Sequence, residues 1–142
     1  MKGFSLIELL IVLIIVGILT CFAYPGYQAH ILRAKRLEAQ TALLDLASQL
    51  ERYYFDNHTY ESATIGSGRS SDVLSSAMTS DGHYVLSITH ASTTTFGLKA
   101  TPSSSYSSND SVCQSLTLNS RGIKGIASGP SGSPTGPVNQ CW

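Results

Sequence analysis

The sequence predicts an α+β fold, in which one long N-terminal helix packs on a four-stranded antiparallel β-sheet. Three observations predict it: an apolar run near the N-terminus, an apolar stripe at helical spacing after it, and two hairpin patterns in the second half of the chain. The 142 residues are enough for one modest domain beside the apolar run. The helix is therefore expected to lie half in lipid and half in the domain core.

The apolar run extends from Phe4 to Tyr24, and Glu8 is its only charged residue. A helix of about 20 residues spans about 30 Å, which is the thickness of the hydrocarbon core of a bilayer. The run is therefore predicted to cross a membrane. A carboxylate at that depth costs about 2.5–3.5 kcal/mol on insertion scales, and such acids are usually functional and paired. Glu8 is thus a candidate functional residue.

Three other interpretations of this run are considered. A cleaved secretory signal needs small residues at a processing site, and Cys21-Phe22-Ala23 is a poor one. A lipoprotein needs a small residue before the lipidated cysteine, where this chain has Thr20. The third alternative is a plain anchor in which Glu8 has no role.

The second half of the helix is predicted from a stripe at spacings of three and four residues. Pro25 should bend the helix, because proline lacks an N–H and its ring clashes with the preceding turn. Beyond it the helical pattern resumes and should end near Asn57 or His58. The stripe that a sheet would cover consists of Ala39, Leu43, Leu46, Leu50 and Tyr53 or Tyr54.

Arg33, Lys35 and Arg36 form a short basic cluster just beyond the apolar run. We expect a solvated collar, in which the long side chains lie along the helix and keep their charges in water. Contacts with DNA or with other subunits are the alternative, although three charges give only a weak salt-dependent attraction.

The remainder of the chain reads as a connection followed by two hairpins. Residues 59–82 are rich in Ser, Thr and Gly and predict a surface connection, with a short helix over residues 71–78. Tyr84–Thr89 and Thr94–Thr101 alternate as one hairpin. Leu116–Asn119 and Ile123–Ile126 form the second, with glycine in the turn.

Residues 128–140 form a Gly/Pro/Ser loop for which no regular structure is predicted. Cys113 and Cys141 lie in the distal domain and Cys21 in the apolar run, which is consistent with one disulfide in an oxidising compartment and one unpaired thiol. Such a bond would stabilise the fold by about 3.5 kcal/mol and would tether the loop to the sheet edge.

Composition and motifs argue against an enzyme. No nucleophile elbow, phosphate loop, H-E-x-x-H motif or pair of catalytic carboxylates is present. There is no C-x-x-C, and the four histidines are scattered, so no metal site and no cofactor are predicted. Nine basic and nine acidic residues give a net charge of zero, so the whole chain has no excess charge to attract a polyanion.

The N-terminal residues resemble the class III leader and first helix of type IV pilins and the related pseudopilins. The resemblance rests on Lys2-Gly3 before Phe4, on Glu8, and on the apolar run that follows. It implies that a membrane peptidase cuts between Gly3 and Phe4 and that the new amine is methylated. It also implies that Glu8 pairs with the amine of Phe4 on a neighbouring subunit during assembly. Residues 1–3 would be the leader, 4–24 the transmembrane and assembly helix, and 25–142 the periplasmic globular domain.

Three further motifs resemble a group of minor pilins from Gram-negative type IV pilus systems. They are E-R-Y-Y-x-x-N-x-T-Y from Glu51, A-T-P from Ala100, and C-x-x-L-T-L-N-x-x-G from Cys113, with Cys141-Trp142 after them. This resemblance implies the pilin fold: a long bent helix on a four-stranded sheet, with a C-terminal loop closed by a Cys113–Cys141 disulfide.

The resemblance implies a structural subunit of a type IV pilus that supports filament assembly and pilus-dependent motility, adhesion or DNA uptake. The implied partners are other pilin subunits, the prepilin peptidase, the inner-membrane assembly machinery, and DNA or surfaces. The precursor would lie in the inner membrane with its C-terminus in the periplasm, and the assembled pilus would be extracellular. A major pilin, a DNA-binding competence pilin and a type II secretion pseudopilin are the alternatives; the disulfide-closed tail argues against the major pseudopilin.

Overall fold

The computed structural model describes residue 3 and residues 5–106 and 110–142. Its chain divides into two compact units, residues 1–34 and residues 35–142. Helix α1 (Leu6–Asn57) contributes to both. All strands belong to the second unit, which is where the core lies.

Helix α1 is uninterrupted from Leu6 to Asn57. The Ser5 carbonyl accepts the first backbone hydrogen bonds of the helix, from the amides of residues 8 and 9 at 3.0 and 3.2 Å. The helix ends at Asn57, as predicted, and His58 follows with φ of 56°, a left-handed conformation that typically stops a helix. The backbone remains helical through position 25, and the bend expected there stays a prediction.

The apolar part of α1 in the first unit has no covering structure. Its large side chains from Leu6 to Phe22 are between 47% and 82% exposed. By length and composition α1 can cross a membrane, because its most apolar stretch has a mean hydropathy of 2.9. Thr20 satisfies its hydroxyl by donating to the carbonyls of Val16 and Gly17, at 3.0 and 2.9 Å, as a polar side chain in lipid requires.

In the second unit, α1 buries the stripe that its sequence predicts. Ala39, Leu43, Leu46 and Leu50 are all fully buried, and both tyrosines at the end of the stripe are half-buried. Burying each large apolar side chain contributes about 1.5–3 kcal/mol before the entropy cost of folding. The predicted stripe is therefore confirmed.

The connection after α1 contains strands β1 (Thr64–Ile65) and β2 (Asp72–Leu74), which pair in parallel. The helix predicted over residues 71–78 is wrong: this stretch contains β2 and a bridge from Met78 to Val85. The Asp72 side chain explains the difference. Its carboxylate accepts hydrogen bonds from residues that precede it, and such local side-chain bonds compete with helix formation.

The Asp72 carboxylate accepts hydrogen bonds from the hydroxyls of Ser67 and Thr64, at 2.7 and 2.6 Å, and from the backbone amides of Gly68 and Arg69, at 2.7 and 3.2 Å. Hydrogen bonds to the charged form favour ionisation. The bonds from Ser67 and Thr64 accordingly lower the pKa of Asp72 to about 2. The loop between β1 and β2 is thus built around one carboxylate.

The main sheet has four antiparallel strands, as predicted, and their order is β3, β4, β5, β6. They are β3 (Tyr84–Ala91), β4 (Phe96–Pro102), β5 (Ser115–Asn119) and β6 (Lys124–Ala127). Alternate residues of β4 are buried, because successive side chains of a strand point to opposite faces. The opposite face of β4 carries Gly97, Lys99 and Thr101.

The tail after β6 is more ordered than predicted, since it ends in the short helix α2 (Val138–Cys141). The Cys113–Cys141 disulfide is present. Cys113 precedes β5, which is an inner strand, so the disulfide does not itself reach the sheet edge. Trp142 does so instead, because its indole N–H donates to the Gly125 carbonyl of edge strand β6 at 2.8 Å.

We expect the double variant Cys113→Ser, Cys141→Ser to lose about 3.5 kcal/mol of unfolding free energy, because the bond closes a long loop of the unfolded chain. Urea unfolding of the full chain in detergent would measure it, with the fluorescence of Trp142, the only tryptophan, as the probe. Cys21→Ser, which removes an exposed free thiol, should leave the midpoint unchanged. Equal midpoints for the double variant and the parent chain would contradict the tethering role.

Candidate functional site

The N-terminal candidates lie on an exposed helix surface. Glu8 is exposed in the first turn of α1, and Gly3 has open space around it. Phe4, the predicted processing and methylation position, lies outside the described residues. Cys21 is free and exposed. The surface around Glu8 is otherwise apolar, so a carboxylate there favours a partner of opposite charge once water is excluded.

The basic cluster on α1 is not a uniform solvated collar. Arg33 is exposed, as expected. Arg36 is buried, and its Nε and Nη2 donate to the two carboxylate oxygens of Asp110 at 2.7 and 2.8 Å. The collar prediction is therefore wrong for Arg36: a partner 74 residues away in sequence neutralises the charge and allows its burial.

The Arg36–Asp110 pair is isolated from solvent. The exposed fractions of the two side chains are 9% and 0%. One oxygen of Asp110 also accepts the backbone N–H of Cys113 at 3.1 Å. The hydrogen bond to Asp110 raises the pKa of Arg36 further above its usual value. Arg36 is therefore largely buried with its Nε and Nη2 bonded to Asp110, which indicates a structural residue rather than a DNA contact.

Lys35 and two tyrosines surround this pair. The Lys35 ammonium lies 4.6 Å from the centre of the Tyr106 ring, a distance typical of a cation–π contact. The Tyr106 ring packs edge to face against that of Tyr84. Burial raises the pKa of Tyr106 to about 12. Lys35 is therefore half-buried and held against an aromatic ring, which leaves Arg33 as the freely solvated member of the cluster.

Charged residues are divided between the two halves of the second unit. From Gly82 to the end of the sequence the acidic residues comprise Asp110 alone, and the basic residues are Lys99, Arg121 and Lys124. Asp110 is neutralised by Arg36. Within the described ranges, no ion pair joins any of the three cations to a carboxylate. Among the charged side chains of the sheet half, those that are not neutralised inside the protein are therefore all positive.

Lys99, Arg121 and Lys124 are positioned by the sheet and the tail. Lys99 lies in β4 and donates to the Ser128 carbonyl at 2.9 Å. Arg121 and Lys124 are exposed at the end of the second hairpin. The Lys124 ammonium lies 5.1 Å from the centre of the Trp142 ring. By register, Lys99 lies on the same face of the sheet as Thr117 and Gly125, whereas Lys124 pairs with Leu118 on the other face. We refer to Lys99, Arg121, Lys124 and Trp142 together as the basic sheet surface, which therefore draws on both faces of the sheet.

A shallow groove of about 200 Å³ runs across β4, β5 and β6 beside the basic sheet surface. Glycines keep it open: a Cβ added at Gly125 would lie 2.6 Å from the Thr117 hydroxyl, and one at Gly97 would lie 2.9 Å from that of Thr89. The lining is mixed: hydroxyls and the exposed Lys124 share it with Leu98, Leu118 and Ile123. Lys124 is its one cation, and a lysine can contact a phosphate.

The histidines do not form a common site. His83 Nδ1 lies 2.8 Å from Glu38 Oε2, and His90 Nε2 lies 3.1 Å from the Thr95 hydroxyl. His58 is exposed. Burial alone would raise the pKa of Glu38, but hydrogen bonds from Thr79, His83 and a backbone amide lower it. The sequence analysis did not identify Glu38, Asp110 or Trp142, because each acts through a distant partner.

We expect Arg36→Met to lower the free energy of unfolding by about 3–5 kcal/mol, because it leaves the buried carboxylate of Asp110 without its partner. The double variant Arg36→Met, Asp110→Leu should recover part of the loss. Arg33→Met, a change at the exposed member of the cluster, should cost less than about 0.5 kcal/mol. Urea unfolding of the three variants would measure this; similar losses for Arg33→Met and Arg36→Met would refute the buried pair.

Comparison with known proteins gives two matches to family models. Residues 25–117 match the model described as type IV minor pilin ComP, DNA uptake sequence receptor. Residues 1–24 match the prokaryotic N-terminal methylation motif. The first match includes α1 from position 25 and the sheet as far as β5.

Several curated proteins are similar to this chain. Fimbrial protein EcpC of Eikenella corrodens is 33% identical over 97 residues, which are 68% of this chain and 59% of that protein. Type IV major pilin protein PilE1 of Neisseria gonorrhoeae is 41% identical over 90 residues, 63% of this chain and 40% of the other. Type II secretion system core protein G of Pectobacterium carotovorum is 32% identical over 65 residues, 46% and 42% of the two chains. The chain spans about half the length of the curated relatives it matches.

A solved structure confirms the fold. The crystal structure of the non-core minor pilin PilV of Neisseria meningitidis aligns with a TM-score of 0.53 at 22% identity, over 76% of this chain and 98% of that one. Together with the sheet order and the disulfide, this supports the fold class that the sequence predicts.

Proposed function

This chain belongs to the type IV minor pilin family, and from that premise we propose that it is a pilus subunit that assembles through Glu8 and binds DNA through the basic sheet surface. The match of its family model carries the first part of the proposal. The division of charge within the second unit supports the second part. Motility and adhesion are further activities of pili that such a subunit can support.

Assembly is proposed to begin with processing between Gly3 and Phe4 by a prepilin peptidase and methylation of the new amine. The methylation motif over residues 1–24 supports this step. Glu8 would then pair with that amine on a neighbouring subunit. Opposite charges attract strongly in a medium of low dielectric constant, and each is costly there alone. The pair would therefore fix one axial register between subunits.

The uncovered apolar surface of α1 supports the same proposal. In the precursor, lipid would cover that surface, with the globular unit in the periplasm and the helix in the inner membrane. In the filament, apolar helices of other pilin subunits would replace the lipid, with the assembly machinery driving the exchange. Apolar surface thus stays out of water throughout.

We expect Glu8→Ala to remain in the membrane fraction but to enter filaments at least about tenfold less, because removing one member of a desolvated charge pair costs about 3–5 kcal/mol. Shearing pili from cells and immunoblotting both fractions would measure this. Glu61→Ala, which changes an exposed acid of the second unit, should assemble normally. Normal incorporation of Glu8→Ala would remove Glu8 from the mechanism.

DNA binding is proposed to take place at the basic sheet surface. Its cations have no carboxylate partner within the described ranges, so they can neutralise phosphates and release counterions. Trp142 adds an aromatic ring, held by its hydrogen bond to Gly125. The family description, DNA uptake sequence receptor, names a DNA ligand and supports the proposal, although phosphate contacts alone carry no sequence information.

We expect the triple variant Lys99→Ala, Arg121→Ala, Lys124→Ala to bind duplex DNA more weakly at every sequence and to reduce the salt slope by about one for each lost phosphate contact. Fluorescence anisotropy with a labelled duplex at several salt concentrations would measure both. The matched control is Arg52→Ala, Arg69→Ala, which removes exposed cations outside the surface. An equal effect of the two variants would refute this location.

A type II secretion pseudopilin is the second candidate, because protein G of that system is similar to part of this chain. The two functions differ in the phenotype of a deletion strain. Loss of pili or of DNA uptake supports the pilus subunit. A secretion defect with normal pili would favour the pseudopilin.

A further inference from the structure

Glu38, Asp81 and His83 converge at one point of the second unit, outside the basic sheet surface. Glu38 projects from α1, whereas Asp81 and His83 lie in the turn before β3. One ligand atom from each, two carboxylate oxygens and an imidazole nitrogen, lies within 4.8 Å of the others. Glu38 is 43 positions from Asp81 and 45 from His83 in sequence, so only the fold brings it to them.

We propose that Glu38, Asp81 and His83 form a binding site for a divalent transition metal such as Zn²⁺. Zn²⁺ accepts histidine nitrogen and carboxylate oxygen together, whereas Ca²⁺ and Mg²⁺ prefer oxygen ligands alone. Two ligand atoms on one tetrahedral Zn²⁺ stand about 3.3 Å apart. His83 Nδ1 and Glu38 Oε2 are already 2.8 Å apart, so they need to separate only slightly.

The surroundings favour a cation. An adjoining groove of about 240 Å³ is lined by Glu38 and a further acid, Asp45, with hydroxyls and no basic residue among its lining. The aromatic ring of Tyr106 packs edge to face on that of His83 at 5.5 Å between centres and orients it. The two cations on the same turn of α1 are engaged elsewhere: Lys35 is directed to the face of Tyr106, and Arg36 is paired with Asp110.

Metal binding would require only local change. The exposed Asp81 side chain can rotate, while the backbone amide of Asp81 already donates to Glu38 Oε1 at 3.1 Å. The metal would take the place of the proton between His83 Nδ1 and Glu38; that proton would move to Nε2 of a neutral ring, or to solvent from a doubly protonated one. Three protein ligands leave the fourth tetrahedral position to water. The result would be a clip between α1 and the turn before β3, which stabilises the folded state by mass action.

Isothermal titration of the full chain in detergent with ZnCl₂ tests the site, with MgCl₂ and CaCl₂ as comparison titrations. We expect one Zn²⁺ per chain and at least tenfold weaker binding of the other two ions. Ring ¹⁵N shifts identify the ligand: His83 should shift, whereas the other three histidines serve as internal references. A shift at one of those, with none at His83, would overturn the proposal.

Two variants separate metal binding from the structural bond between Glu38 and His83. Asp81→Asn removes a ligand but keeps the backbone contact to Glu38, so we expect at least tenfold weaker Zn²⁺ binding with the fold and the metal-free melting temperature retained. Asp45→Asn removes the neighbouring acid of the groove and should change affinity less than threefold. Zn²⁺ binding that is absent in the parent chain, or equal in Asp81→Asn and the parent, would refute the site.

Discussion

The second unit depends on one buried ion pair, Arg36–Asp110, because it begins a closed chain of bonds that returns to the same helix. Arg36 of α1 holds the Asp110 carboxylate, and that carboxylate holds the amide of Cys113. The disulfide joins Cys113 to Cys141, whose carbonyl accepts a hydrogen bond from Gln40 at 2.9 Å, one turn beyond Arg36 on α1. These polar and covalent bonds thereby join the helix, the loop before β5 and the tail.

The two units also explain the sequence of α1, which is apolar on all sides near its N-terminus and buries a single apolar stripe from Ala39 to Leu50. In the first unit the large apolar side chains of the helix are exposed, and such a surface favours an apolar environment over water. In the second unit one stripe is covered by the sheet, and the buried pair fixes the helix against the loop before β5. The change from one pattern to the other occurs within a single continuous helix, because helical backbone hydrogen bonds are satisfied in both environments.

The sequence could predict those parts of the fold whose apolar residues recur at the spacing of a helix or a strand. The stripe from Ala39 to Leu50 and both hairpins repeat at the spacing of helix or strand, and the structure confirms them. The short pair of β1 and β2 escaped prediction because side-chain bonds to Asp72 shape its loop, and these follow no period.

The same limit applies to the candidate sites. Arg36 was expected in solvent because a basic cluster on a helix gives no sign of a carboxylate 74 residues later. Asp110, in turn, follows a serine-rich stretch and shows no local pattern of burial. Glu38 and His83 meet only when the turn before β3 reaches α1. Long-range charge pairs require a fold before they can be assigned, whereas the cysteine pair could be assigned because the chain offers so few alternatives.

The burial of Asp110 also affects how charge is distributed over the surface of this chain, whose net charge is zero. At physiological salt, exposed charges interact over a screening length of about 8 Å, so a polyanion responds to the local surface rather than to the sum over the chain. The one carboxylate in the sheet half is neutralised in the interior by a helix arginine. The exposed Arg121 and Lys124 and the half-buried Lys99 are thereby left as the unpaired cations of that half within the described residues, while the exposed acids lie on α1 and the connection. A chain with zero net charge can therefore carry cations and acids in separate parts of its surface, which is the premise of the proposed DNA contact and of the proposed metal site.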